Sequence, residues 1–259
     1  MENVWIYLPL MVTACLAGAI NSVAGGGTLL TFPTLIFALA GFGDEAAAMA
    51  NATSSVALLP GSIAGAWGYR PELVSQGRFI VKLLLPSLLG GLTGSLLLAW
   101  YPKEFEAVVP WLVLTAAGLF LLQPPLVRLV RRRQQEQQPP GLFLLIVLLG
   151  FQFLVAVYGG YFGAGIGILM LTALGFMGIG NIHAMNGIKT VLAAAINTVT
   201  VVVVIAYGLV YWPYVFVMAG AAILGGYGGA RIARKLPAAL VRGLVVTIGF
   251  WLGLHYLLR

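Results

Sequence analysis

Hydrophobic residues in this chain run in long, nearly uncharged stretches that are separated by short polar connections. Stretches of about 20 apolar residues are long enough to cross the roughly 30 Å hydrocarbon core of a bilayer as helices. Hydropathy, read together with glycine and proline breakers, predicts about ten apolar segments. They cover residues 4–20, 28–40, 46–66, 79–100, 107–127, 142–158, 166–179, 184–206, 213–230 and 238–257. The pattern therefore predicts an all-α, polytopic integral membrane protein.

Two of these segments, 28–40 and 166–179, are too short for a comfortable full span, and each adjoins a glycine cluster. The glycines are Gly25, Gly26 and Gly27 in the first case and Gly163, Gly165 and Gly167 in the second. Glycine lets a helix break within the bilayer, and irregular backbone at that depth is tolerated only where it is buried in protein or lines a wet cavity. We therefore predict broken or re-entrant helices at the centre, with ten, eight or six complete spans.

Composition excludes a soluble domain, since 61% of the 259 residues are hydrophobic and 8% are charged, and the mean hydropathy is +1.00. The formal net charge of +7 would suggest a nucleic-acid partner in a soluble protein. Here the basic residues lie mostly in short connections between apolar stretches, where they set membrane topology. We expect the lipid bilayer as a partner and no nucleic acid.

Basic residues cluster at three connections, which the positive-inside rule places in the cytoplasm. They are Arg70, Arg78 and Lys82; Arg128, Arg131, Arg132 and Arg133; and Arg231, Arg234, Lys235 and Arg242. The acidic connection at Asp44 and Glu45 suits the outer side. We predict both termini outside and a basic cytoplasmic linker over residues 128–141.

The predicted orientation makes the two halves of the chain inverted copies, because five segments precede the linker and five follow it. The equivalent pairs are Gly25 and Gly165, Gly27 and Gly167, Asn51 and Asn186, and the glycine pairs Gly90-Gly91 and Gly225-Gly226. We expect the last two pairs to give small faces on which helices pack closely. The predicted domains are a first transmembrane repeat over 1–127 and a second, inverted repeat over 142–259. Inverted-topology repeats are typical of secondary transporters, which hold their substrate near the bilayer midplane.

Four sequence blocks resemble a known family of membrane permeases. They are residues 19–33 (AINSVAGGGTLLTFP), 50–55 (ANATSS), 160–167 (GYFGAGIG) and 186–190 (NGIKT). Together they resemble the TauE/SafE (sulfite exporter, TSUP) family, and the resemblance covers essentially the whole chain. It implies a multi-pass protein of a prokaryotic-type plasma membrane that transports a small sulfur-containing anion, such as sulfite, thiosulfate or a sulfonate. The second block of glycines departs from the family pattern, because Ile166 interrupts the triple glycine.

Lys189 is the one basic residue that lies well inside a predicted apolar segment. An intramembrane charge costs a few kcal/mol unless it serves a pathway or finds a partner. The neighbouring segments contain no acid, and Asp44 and Glu45 fall at the opposite face in the predicted topology. A transported anion is the counter-ion that we expect. The alternative is a lysine that snorkels to the membrane surface from a helix whose start differs by a turn.

Polar side chains accompany the glycine breaks and the helices that follow them. Asn51 and Asn186 open corresponding helices, where amide, hydroxyl and backbone N–H groups can donate to anion oxygens. The candidate substrate-binding residues are Lys189, Asn51, Asn186, Asn21, Ser22, Gly25, Gly26, Gly27, Thr53, Ser54, Gly163, Gly165, Gly167 and Thr190. The alternative is that these polar residues cap helices or hydrogen-bond between packed helices.

Three function classes compete for a polytopic membrane protein: a transporter, an intramembrane enzyme, and an ion channel or purely structural membrane partner. An enzyme would need a nucleophile, a metal site or a buried carboxylate base, and the sequence offers no catalytic residues, no metal site and no cofactor motif. The inverted repeats predict an alternating-access transporter, and the family resemblance implies a small sulfur-containing anion as its substrate. The alternatives are a carrier for another small anion, such as a carboxylate, and an anion channel. The sequence shows no cation site, which favours export driven by the membrane potential. A homodimer is compatible with these features.

Overall fold

The computed structural model of the protein describes residues 4–23, 26–74, 76–134, 141–177, 179, 182–232, 243, 246, 247, 249–251, 253 and 254. Every regular element in these ranges is helical, as the sequence predicts. The α-helices are α1 (Tyr7–Val23), α2 (Thr28–Ala38), α3 (Ala46–Gly68), α4 (Arg70–Leu73), α5 (Gly77–Trp100), α6 (Pro102–Gln134), α7 (Leu142–Tyr161), α8 (Ile166–Phe176), α9 (Ile182–Ala206) and α10 (Trp212–Ile232). Short 3-10 turns cover Val4–Ile6 and Ala40–Glu45.

Several of these helices have the dimensions of a membrane span. Four stretches in the described residues are long and apolar enough to cross a bilayer: Gly77–Trp100, Pro102–Leu122, Leu142–Tyr161 and Ile182–Ala206. At 1.5 Å per residue, helices of this length extend for roughly 30–38 Å, which matches the hydrocarbon core. These helices fit the predicted polytopic membrane protein.

The two short apolar segments form half-length helices. Helices α2 and α8 contain 11 residues each. That length corresponds to roughly 16 Å, or about half of the hydrocarbon core. Gly27 immediately precedes α2 and Gly165 immediately precedes α8. Both glycine clusters therefore interrupt the helical chain where the sequence predicts a break.

Helix α6 continues further than the hydropathy pattern predicts. The sequence indicates an apolar segment over 107–127 and a linker from residue 128, whereas the helix covers Pro102–Gln134. Arginine, leucine and glutamine are good helix formers, so the helix continues after the apolar stretch has ended. The first part of the predicted linker, residues 128–134, is therefore helical, and residues 135–140 lie outside the described part of the chain.

Glycines allow the closest approach between helices. Helix α1 packs along α10, and α5 packs along α7. A β-carbon added at Gly225 would overlap the carbonyl oxygen of Cys15, and one added at Gly94 would overlap the carbonyl oxygen of Val157. The helices of both pairs therefore meet backbone against backbone, which small residues permit in membrane proteins.

Helices α3 and α9 lie in the middle of the helix assembly. They pack against each other; α3 also contacts α1, α2 and α10, and α9 also contacts α5, α7 and α8. The two half-length helices therefore flank the central pair. This arrangement brings the two glycine breaks to the α3–α9 region.

Candidate functional site

The two glycine breaks touch each other. Gly26 has a φ of 117°, a value that disfavours residues with a side chain. A β-carbon at Gly26 would lie 2.9 Å from the backbone nitrogen of Gly165 and 2.7 Å from ring atoms of Phe120. Gly163 and Gly165 also have positive φ values, of 82° and 80°. The starts of α2 and α8 consequently meet at a point where only glycine fits.

Asn21 stabilises the first break. Its Oδ1 accepts hydrogen bonds from the backbone nitrogens of Gly26, at 2.9 Å, and Gly27, at 2.7 Å. This contact satisfies two amide groups that a helix start would otherwise leave without a partner. The sequence analysis proposes the backbone amides of Gly26 and Gly27 as donors to the transported anion. In this structure both amides already donate to Asn21. Gly25 and the side chain of Ser22 lie outside the described part of the chain.

A small cavity of about 30 Å³ lies beside the meeting point of the breaks. That volume holds about two water molecules. Its lining residues are Asn21, Gly26, Ser62, Gly163, Ile166, Gly167, Lys189, Thr190 and Ala193. The cavity therefore combines residues from both breaks with residues of α3 and α9. Six of its lining residues belong to the site that the sequence predicts: Asn21, Gly26, Gly163, Gly167, Lys189 and Thr190.

Lys189 supplies a cationic side chain to this cavity. The residue lies in α9 and is only 1% exposed, so its ammonium group does not reach the protein surface. This burial argues against the alternative in which Lys189 snorkels to the membrane interface. The adjacent Thr190 is 4% exposed, and its hydroxyl donates to the carbonyl oxygen of Asn186 at 2.7 Å.

The first turn of α8 lines the cavity through Ile166 and Gly167. The N-terminal end of a helix carries a partial positive charge, which attracts anions. Gly165 precedes this turn in the left-handed conformation. The cavity thus combines the basic side chain of Lys189 with the partial positive charge at the start of α8, an arrangement suited to a small anion.

Three other predicted residues form contacts between elements instead of lining the cavity. Asn51 Nδ2 donates to the carbonyl oxygen of Tyr161 at 2.9 Å. Thr53 Oγ1 accepts from the backbone nitrogen of Tyr211 at 3.0 Å, and Ser54 Oγ shares a 2.6 Å hydrogen bond with Thr31 Oγ1. These contacts match the alternative interpretation, in which polar residues join packed segments.

Asn51 and Asn186 do not open their helices. Helix α3 begins at Ala46 and α9 at Ile182, so both asparagines lie in the second turn. The helix starts that meet at the site belong to α2 and α8, whose preceding breaks touch. Asn51 and Asn186 have one unusual property in common, because the Oδ1 atom of each is buried without a hydrogen-bond partner.

Ser62 is a cavity residue that the sequence analysis does not single out. It follows Asn51 on α3 by three helical turns and therefore lies on the same face. That spacing does not identify it as a cavity residue, because Asn51 contacts Tyr161 and does not line the cavity. Ser62 is 7% exposed, and its hydroxyl donates to the carbonyl oxygen of Leu58 at 3.2 Å.

Aromatic side chains pack around the end of α7 that precedes the second break. Phe162 contacts Phe32 of α2, with ring centroids 5.3 Å apart, and Phe105 of α6, at 6.2 Å. Tyr161 lies edge-on to Phe105 at 5.1 Å. The three phenylalanines are at most 1% exposed. This aromatic cluster, Phe32, Phe105, Tyr161 and Phe162, fills the space around the end of α7.

Comparisons with known proteins identify relatives over nearly the whole chain. A probable membrane transporter protein of Haemophilus influenzae is 29% identical over 241 residues, which cover 90% of this chain and 88% of the relative. The probable membrane transporter protein YfcA of Escherichia coli K12 is 30% identical over 247 residues, which cover 92% and 85%. The probable membrane transporter protein ORF9 of a Sinorhizobium species is 28% identical over 254 residues, which cover 96% and 91%.

No solved structure matches the chain. The family model described as sulfite exporter TauE/SafE matches residues 10–256. This match covers nearly the full length, including both glycine breaks and the cavity. The chain therefore belongs to the TauE/SafE sulfite exporter family of membrane transporters.

Proposed function

We propose that this protein is a carrier that moves a small sulfur-containing anion, such as sulfite, thiosulfate or a sulfonate, across the plasma membrane. The observation that carries the proposal is the buried Lys189 in a cavity between two glycine breaks. A lysine in the membrane interior marks a functional site, because its desolvation is costly. The family name supports a sulfur anion as the substrate.

The packing of the helices supports two inverted repeats over residues 1–127 and 142–259. Suppose that α1, α3 and α5 of the first half correspond to α7, α9 and α10 of the second half. The contact between α1 and α10 is then equivalent to the contact between α7 and α5. In the same way, the contact between α3 and α10 is equivalent to the contact between α9 and α5. All four of these pairs form extensive contacts. The contacts thus map onto themselves when the two halves are exchanged, as a duplication requires.

Close contacts at equivalent glycines support the same duplication. Gly90 approaches the carbonyl oxygen of Phe153, and Gly225 approaches that of Cys15. Both contacts join the helix that contains the glycine to the first helix of the other half. A duplicated scaffold places the substrate near the interface of the repeats, where α3 meets α9 and where the cavity lies.

The two halves differ at the residue that carries the charge. The offset that relates Asn51 to Asn186 places Ser54 opposite Lys189. Ser54 is fully buried and bonded to Thr31, whereas Lys189 lines the cavity. With the linker and basic connections in the cytoplasm and both termini outside, the cavity lies toward the cytoplasmic side of the aromatic cluster. We assign this conformation to a stage of alternating access that is closed toward the outside.

Two other functions use the same site. A carrier for a small carboxylate would find the same basic side chain in the cavity, and an anion channel would use the same central residues. The channel is the weaker alternative, because the buried aromatic cluster packs around the end of α7.

Substrate competition in proteoliposomes tests the proposal. We expect saturable uptake of radiolabelled thiosulfate and sulfite, at mildly alkaline pH to keep sulfite ionised, under an imposed potential. Unlabelled sulfite and a sulfonate should compete, because each presents a compact oxygen-rich anion, whereas acetate and lactate should not. Protein-free liposomes give the background. Equal competition by carboxylates would contradict a sulfur-specific carrier and indicate a general anion carrier. Uptake that rises linearly with concentration would favour a channel.

A further inference from the structure

We propose that Asn51 Oδ1 and the carboxyl-terminal end of α7 bind a sodium ion that is coupled to anion transport. The inference extends the proposed function, since it names the coupling ion of the same carrier. It differs from the sequence-based expectation of potential-driven export, which followed from the lack of a recognisable cation site. A sodium site would allow uptake against the membrane potential.

The first observation is an unpaired oxygen in the protein interior. Asn51 is 1% exposed, and its Oδ1 has no hydrogen-bond partner. The opposite atom, Nδ2, donates to the carbonyl oxygen of Tyr161 at 2.9 Å. That hydrogen bond fixes the orientation of the amide, because a flipped side chain would place two acceptor oxygens against each other. The unpaired atom is therefore an acceptor, and burying it without a partner is unfavourable.

The second observation is the carbonyl-rich end of α7 beside this atom. The backbone nitrogens of Phe162 and Gly163 both donate to the carbonyl oxygen of Tyr158. They therefore leave the later carbonyls of the last turn for other ligands, and the end of a helix carries a partial negative charge. Since Nδ2 contacts Tyr161 O, covalent geometry places Asn51 Oδ1 within about 5 Å of the same carbonyl. Two oxygens at that separation can bind one ion.

A further buried oxygen belongs to α7 and is also unpaired. The hydroxyl of Tyr158 is buried without a hydrogen-bond partner, and its ring packs on Phe162 at 6.4 Å. The unpaired amide oxygen of Asn51 and the carbonyl oxygens at the end of α7 favour a cation and oppose an anion.

Sodium fits this set of groups better than a divalent metal. Hard cations take oxygen ligands, and divalent ions usually require carboxylates among them. The oxygens named above are neutral. In transporters with broken helices, helix carboxyl ends coordinate sodium while helix amino ends face the anionic substrate. Here α7 ends at Tyr161 and α8 begins at Ile166 beside the anion cavity, so one break serves both sites.

Thermal stability of the purified protein in detergent, without any sulfur anion, tests the inference. We expect sodium chloride to raise the unfolding temperature in a saturable manner, whereas choline chloride and potassium chloride at equal ionic strength do not. In Asn51→Leu the apparent affinity for sodium should fall at least about tenfold, because the fixed amide oxygen is lost.

Gln152→Met is the matched control. Gln152 is also 1% exposed, and its amide also donates one hydrogen bond between helices, to Ser87 Oγ at 2.9 Å. This variant should retain the sodium effect even if its overall stability is lower. Loss of the sodium effect in Gln152→Met would overturn the inference, since it would show a general response to weaker helix packing.

Two further results separate this inference from the proposed function. Equal stabilisation of the wild type by sodium, potassium and choline would overturn the sodium site, whatever the protein transports. This wild-type comparison decides the question even if Asn51→Leu does not fold. Specific stabilisation by sodium would support the site even if sulfite and thiosulfate are not substrates, because the measurement contains neither.

Discussion

Replacing Lys189 with methionine is expected to lower the saturable flux of thiosulfate or sulfite by about 10- to 100-fold. A hydrogen bond to a charged group contributes about 1.5–3 kcal/mol, and about 1.4 kcal/mol corresponds to a factor of ten. Lys189 lines the cavity and is 1% exposed, so bulk water does not replace its contact with the anion. Methionine has a similar length without the charge, and we expect folded protein in normal yield. Initial uptake rates over a concentration series, in proteoliposomes with equal amounts of protein, measure the effect.

Lys82→Met is the control for the loss of one positive charge. Lys82 lies on α5 and its side chain is exposed, so it belongs to no buried site. Its replacement should leave the flux close to that of the wild type. Undiminished transport in Lys189→Met would contradict the assignment of Lys189 to the anion site. An equal loss in both variants would assign the effect to net charge.

Replacing Gly225 with alanine is expected to destabilise the protein by about 1–3 kcal/mol, the usual cost of overpacking, or more. The added β-carbon would overlap the carbonyl oxygen of Cys15, which is backbone and cannot rotate away. Helices α1 and α10 would have to separate along their contact. The fraction of protein that remains monodisperse after heating, followed by size-exclusion chromatography, measures the change.

Gly220→Ala is the matched control on the same helix. A β-carbon at Gly220 would meet no atom within 4 Å. Alanine favours a helix over glycine by up to about 1 kcal/mol, so this variant should be as stable as the wild type or more stable. Equal losses of stability in the two variants would show that close packing at Gly225 is not the cause.

Hydropathy and glycine position predict the helices well, because span length and helix breaking are local properties. The predicted segment 46–66 corresponds to α3 (Ala46–Gly68), and 184–206 corresponds to α9 (Ile182–Ala206). The predicted breaks lie before α2 and α8. The extent of α6 differs from the prediction, because the apolar content of the sequence ends near residue 127 whereas its helix propensity continues to Gln134.

The individual partners of polar side chains are less accessible to the sequence. Lys189 stands out because a charge within an apolar segment is rare. No local pattern indicates that Asn21 accepts hydrogen bonds from the amides of Gly26 and Gly27. The hydrogen bond from Asn51 to the carbonyl oxygen of Tyr161 joins residues far apart in the chain, so the local sequence does not indicate it either. The aromatic cluster depends on three different elements and has no periodic signal.

Counterflow tests the central claim, that one central site is exposed alternately to the two sides of the membrane. Proteoliposomes are preloaded with unlabelled thiosulfate, with acetate or with buffer, and the entry of radiolabelled thiosulfate is followed from the outside. The account predicts that internal thiosulfate accelerates entry several-fold and that acetate does not, because a loaded carrier returns the site to the outside by carrying substrate. Entry at the same rate in all three preparations would contradict alternating access at the Lys189 cavity.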